Sequence, residues 1–222
     1  DTGIAPPFVV QSTLQGCMRL RIDDPTACHA ASFRSSAMAR SRSCLRPAAD
    51  LLAQYAEYHR DQRNIATHQA GIPLIVFALG VLLARPTLAL DAGLPWALTP
   101  AWCVWVVVSL WYLTRGEPLL GFTVSAGIAA LIALGQPLAA ASLGTWLGLG
   151  LGCFTLGWLI QFVGHYYEGR RPAFVDDLIG LLVGPMFITA EALFALGWKP
   201  GLQAAIERRA GPVVLHDLAA RA

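Results

Sequence analysis

From Pro118 to Gly164 the chain carries no Asp, Glu, Lys or Arg, and neither does the stretch from Ala92 to Thr114. Uncharged apolar runs of about 18 residues or more read as membrane-crossing helices, because lipid offers no partner for a free backbone N–H or C=O. Composition agrees. Of the 222 residues 55% are hydrophobic and only 14% are charged, with a mean hydropathy of +0.53, whereas soluble domains carry roughly 25% charged residues. A net charge of +2 without a basic cluster among aromatics gives no sign of a nucleic-acid partner. The cysteines form no CxxC pair, and Cys103 and Cys153 fall inside apolar runs, so no disulfide framework or zinc knuckle is expected.

These patterns predict an all-α membrane protein with four transmembrane helices, an amphipathic helix before them and a C-terminal re-entrant or fifth hydrophobic segment. Residues 1–48 are rich in Ser, Ala and Arg and read as a disordered leader or an over-long start. The membrane-embedded helical domain is expected over 49–199, with a short tail over 200–222. Leu51, Leu52, Tyr55 and Tyr58 recur at helical spacing, and Asp50 is placed to cap that helix. Span one is expected from about His68 to Leu83, with Pro73 in its first turn. Span two is expected from about Leu94 to Leu113, with Trp96, Trp102, Trp105, Trp111 and Tyr112 as interfacial anchors. The long uncharged stretch holds two spans that turn between Gln136-Pro137 and Ala141-Ser142. Leu178 to Trp198 is apolar but interrupted by Gly184-Pro185 and Glu191, and is expected as a kinked hairpin. His216 in the tail is expected to be an exposed bystander.

Four spans place the entry to the first and the exit from the last on one face, so His68 and His165 share that face of the membrane. Arg60, Arg63, Arg115, Arg170 and Arg171 share that side, and Arg85 stands alone opposite. The positive-inside rule then turns the histidine side to the cytoplasm, in what is expected to be a bacterial inner membrane.

Two histidine-bearing motifs edge the apolar runs. The first holds Tyr58, His59 and Arg60, then Asn64, His68, Gly71 and Pro73; the second runs from Gln161 through His165 and Glu168 to Ala173. Ionisable groups at membrane depth are costly and are functional candidates by default. His165 and Glu168, at i, i+3, share a helix face with Gln161 and can offer an imidazole and a carboxylate to one ion. His59 and His68 would lie on opposite faces of an unbroken helix, roughly 13 Å apart along its axis. Both reach one ion only if the chain breaks between them, and Asn64 is placed to cap the helix after the break. Glu191 is a further ligand or an orienting partner. Residue types leave iron and zinc both open.

At these residues the chain resembles the small membrane proteins related to the fungal 2-hydroxy fatty acid dioxygenase of phytosphingosine breakdown. The matching residues are Tyr58, His59, Asn64, His68, Gly71 and Pro73, then Gln161, Gly164, His165, Glu168, Pro172 and Ala173, with Gly184, Pro185 and Glu191 matching more weakly. The resemblance covers about Leu51 to Gly197. It implies an Fe(II)-dependent dioxygenase that removes one carbon from a 2-hydroxy fatty acid with molecular oxygen. It further implies His59, His68 and His165 as iron ligands; Glu168, from its spacing to His165, is expected as a further ligand or catalytic carboxylate. Arg60 or Arg170 would hold the substrate carboxylate. The rival readings are a metal-dependent lipid hydrolase and a non-catalytic lipid-binding membrane protein.

Overall fold

The computed structural model describes residues 46–87, 98–169 and 179–217. Among these residues seven α-helices follow in order: α1 (Ala48–Ala56), α2 (Gln62–Leu82), α3 (Pro100–Leu113), α4 (Pro118–Gly135), α5 (Leu143–Glu168), α6 (Gly180–Ala195) and α7 (Pro200–Ala210). A 3-10 turn over Gln136–Ala140 joins α4 to α5, where the sequence predicts the turn between the last two spans. No strand is present among the described residues, which are helical as expected.

Among the described residues three helices are long and apolar enough to cross a membrane: α2, α4 with its 3-10 extension, and α5. Helices α3 and α6 are apolar but shorter. The expected start of span two at Leu94, and Trp96, lie outside the described residues. Helices α3, α4 and α5 expose Val107, Leu110, Phe122, Leu134 and Leu159, apolar side chains that suit lipid.

Local chemistry sets the helix ends. Asp61, not the expected Asn64, caps α2: its carboxylate accepts from the Arg63 N–H at 2.9 Å. Because α2 begins at Gln62, Pro73 sits inside the helix and not in its first turn. Neighbouring helices tolerate such an interruption at membrane depth. Ser142 caps α5 by accepting from Thr145 N–H, and α5 ends at Gly169 in the left-handed region, φ 69°. The start of α1 falls at Ala48, so Asp50 lies in its first turn and is not its cap.

The antiparallel seam between α2 and α5 organises the bundle. Gly150, Gly157 and Gly164 recur every seven residues on α5, and each faces α2. A Cβ on Gly157 would lie 2.6 Å from Ile75 Cγ1, and one on Gly71 would lie 2.9 Å from Gly157 O. A Cβ on Gly164 would collide with Thr67 Oγ1 and lie 2.5 Å from Asn64 Oδ1. Small residues let two backbones approach this closely, which is how helices gain packing where lipid removes the hydrophobic drive. The seam lays the start of α2 against the end of α5, and so His68 beside His165.

Helix α1 buries Leu51, Leu52, Tyr55 and Ala56 against Val183, Met186, Phe187 and Ala190 of α6. Tyr112, expected as an anchor at the interface, is buried, and its hydroxyl donates to Leu182 O at 2.8 Å. Of the segment expected as a kinked hairpin, Leu178 lies outside the described residues and Gly180–Ala195 is one continuous helix, α6, with Pro185 inside it. The chain after α6 returns to the end that carries α1: Lys199 pairs with Glu117 at 2.6 Å and Arg209 with Glu57 at 2.9 Å.

Candidate metal centre

His59, His68 and His165 come from three different places in the fold. His59 lies on the turn between α1 and α2, His68 on the second turn of α2, and His165 on the last turn of α5. The break needed between His59 and His68 is present, since α1 stops at Ala56 and α2 starts at Gln62. One ligand atom from each of the three rings lies within 4.8 Å of the others. All three are buried, at 0%, 2% and 8% exposure. Tyr55 stacks on His59 with centroids 4.1 Å apart, which fixes the ring plane.

The tautomers follow from the hydrogen bonds. His59 Nδ1 is 2.8 Å from Tyr55 O and His68 Nδ1 is 2.8 Å from Asn64 O. A carbonyl only accepts, so each Nδ1 carries the proton and donates. Burial, followed by the field of His68, lowers the His59 pKa well below the ordinary histidine range and keeps that ring neutral. Each Nε2 is then left with a lone pair, and the two Nε2 atoms face each other at 3.1 Å. Two such lone pairs have no proton to share and repel unless a cation lies between them. Backbone carbonyls orienting Nδ1 so that Nε2 is free is also the usual outer support of a metal-ligating histidine. His165 Nδ1 is buried with no hydrogen-bond partner. The donor set therefore fits a first-row divalent metal of the kind imidazole suits.

Glu168 is turned elsewhere. Its Oε2 accepts from Asp61 N–H at 2.8 Å, Arg60 N–H at 3.0 Å and Asn64 Nδ2 at 3.0 Å. The carboxylate thus ties the end of α5 to the turn bearing His59 and stands outside the group of three rings. Glu191 is outside that group too. Arg60 is buried and donates through Nε to His59 O and through Nη1 to Gly211 O. Burial lowers its pKa, and the charges of Glu191 and Glu168 push it back up. Arg60 does not line the cleft described below. Arg170, Arg171, Pro172 and Ala173 lie outside the described residues.

The C-terminal strap is not legible in the sequence. Val214 forms a parallel bridge with Asp61, with Gln62 N–H donating to Val214 O and Val214 N–H to Arg60 O, both at 2.9 Å. His216, far from a bystander, donates its N–H to Asp61 Oδ2 at 2.9 Å, and its carbonyl accepts from Arg63 Nη2 at 2.7 Å. The Arg63 guanidinium, against burial, holds the Asp61 carboxyl well below the usual carboxylate range.

An apolar cleft of about 330 Å³ opens from His68 and His165 between α2, α5 and α6. Ile72, Ile75, Leu79, Phe154, Trp158 and Leu181 form its walls, and Gln161 lies beside the histidines. Its volume falls at the lower end of small-molecule sites, about 300–1,000 Å³.

A family model described as 2-hydroxy-palmitic acid dioxygenase Mpo1-like matches residues 45–196, which take in both histidine motifs. The chain is also 34% identical over 169 residues to the 2-hydroxy-palmitic acid dioxygenase MPO1 of Saccharomyces cerevisiae, covering 75% of this chain and 87% of the yeast protein. No solved structure matches it. On the extent of both matches, the chain belongs to the Mpo1-like family.

Proposed function

We propose that this protein is an iron(II)-dependent dioxygenase that shortens 2-hydroxy fatty acids by one carbon within the membrane. The observation that carries this reading is the pair of facing Nε2 lone pairs of His59 and His68, with His165 closing the third side. The activity named for the family and for its yeast member supports oxygen chemistry on a 2-hydroxy acid. His59, His68 and His165 would hold the metal. Ferrous iron bound there would supply activation of molecular oxygen.

The remaining work falls to the chain itself. The Tyr55 and Asn64 carbonyls hold two imidazoles in one tautomer. Glu168 fixes the turn that carries His59, and in this reading it is a positioning residue and not a fourth ligand. The cleft takes the acyl chain and keeps water from the histidines. We read α3 as a fourth span and α6 as a re-entrant segment. Arg60, Arg63 and Arg115 put the histidine end in the cytoplasm.

Metal analysis of anaerobically purified protein tests the reading. Near-stoichiometric iron is expected in the wild type, roughly a tenth or less in His68→Ala and His165→Ala, together with oxygen uptake on addition of 2-hydroxyhexadecanoic acid. Zinc without oxygen uptake would assign a lipid hydrolase instead. Absence of metal after reconstitution with iron or zinc would leave a lipid-binding protein.

A further inference from the structure

The cleft is lined by apolar side chains apart from Tyr55, His68, Gln161 and His165. Gln161 lies one helical turn before His165 on α5, so both side chains share a face. It is 5% exposed, and its Oε1 is buried with no hydrogen-bond partner. Nothing in the packing calls for an amide there: the Gln161 stem rests near Gly71, whose Cβ would lie 3.2 Å from Gln161 Cγ. A leucine or methionine would fill that space without stranding a polar atom. Buried polar groups are bonded as a rule, and one left without a partner inside a ligand cleft marks where a ligand donor belongs.

A fatty acid offers few donors. Its carboxylate only accepts and its chain is apolar, so an unsubstituted acid leaves Oε1 unbonded. A hydroxyl next to the carboxylate is a donor, and its oxygen keeps lone pairs for other partners. Resting on the function proposed above, we infer that Gln161 selects 2-hydroxy acids over unsubstituted acids, its Oε1 accepting the hydrogen bond of the substrate 2-hydroxyl. A site that hydrogen-bonds a hydroxyl discriminates strongly against the analogue without it, because the buried partner is then left unpaired.

The test is binding, without turnover, to the iron-loaded full chain in detergent under nitrogen. Affinities for 2-hydroxyhexadecanoic acid and hexadecanoic acid are compared in wild type, Gln161→Met and Gln161→Asn. Wild type is expected to favour the hydroxy acid by about ten- to a hundredfold. Gln161→Met should bring that ratio close to one by weakening the hydroxy acid alone, with iron content unchanged. Gln161→Asn withdraws the amide by one methylene, should lower the ratio part of the way, and keeps the test open if the first variant does not fold. A wild-type ratio retained in either variant, with wild type consuming oxygen on the hydroxy acid, overturns the role of Gln161 and leaves the proposed function standing. A wild type that holds iron but neither binds nor oxidises the hydroxy acid overturns both.

Discussion

The Glu168 carboxylate receives N–H groups from Arg60, Asp61 and Asn64 within a buried turn, and charge-assisted bonds of this kind are roughly twice as strong as neutral ones. Removing it takes the acceptor from the Arg60 and Asp61 N–H groups and leaves Asn64 Nδ2 only the Tyr58 carbonyl at 3.4 Å. Glu168→Ala is expected to lose about 1–3 kcal/mol of stability, visible as a lower midpoint of thermal unfolding. Its iron affinity should fall roughly 10- to 100-fold, the usual effect of losing support behind a ligand. Glu168→Gln keeps the shape and one acceptor oxygen and should hold iron with the ferrous spectrum of the wild type. A changed spectrum in Glu168→Gln would make Glu168 a ligand after all. Both motif residues stand out in the sequence at i, i+3 on one helix face. Which of them turns toward the other histidines depends on the α1–α2 turn, whose N–H groups draw Glu168 away.

At the scale of elements, the α2–α5 seam decides whether a site exists. Gly150, Gly157 and Gly164 hold the two backbones close enough for His68 and His165 rings to lie 4.9 Å apart. Gly157→Val is expected to wedge the helices apart, lowering stability by about 1–3 kcal/mol and cutting iron occupancy with it. Gly148→Ala and Gly152→Ala fall on the same helix, and a Cβ at either meets nothing within 4 Å. Those two should leave iron occupancy and melting unchanged to within about 1 kcal/mol. Metal analysis beside thermal unfolding reads both sets. The seven-residue glycine spacing is visible in the sequence and is the signal from which the seam is legible. The helices themselves follow from the uncharged runs. The cap of α2 at Asp61 is not legible, since Asp61 and Asn64 are both competent caps and the choice falls to the one the incoming turn leaves free.

For the whole molecule, the described residues after α7 act on a turn some 150 residues earlier in the chain. The strap places Val214 against Asp61 and anchors Arg63 to the His216 carbonyl, so the turn with His59 is held by α5 from one side and by the C-terminal segment from the other. Removal of residues 211–222 should raise hydrogen exchange at the amides of Arg60–Gln62 and weaken iron binding, while exchange at mid-span amides of α4 stays as in the full chain. Unchanged exchange at Arg60–Gln62 would show that Glu168 alone holds the turn.

The apolar runs by themselves determined that this chain is helical and suited to a membrane, because unpaired backbone in lipid is too costly for any open alternative. The positions of the histidines at the edges of those runs pointed to one end of the bundle, since the cost of polar groups at mid-depth leaves them little choice. Only the tertiary structure decided which nitrogen of His59 and of His68 is free, that Glu168 faces backbone amides, and that the strap closes over Asp61. Those outcomes depend on hydrogen bonds between segments distant in the chain. Local sequence fixes the donors and acceptors available to such bonds but not how the fold pairs them.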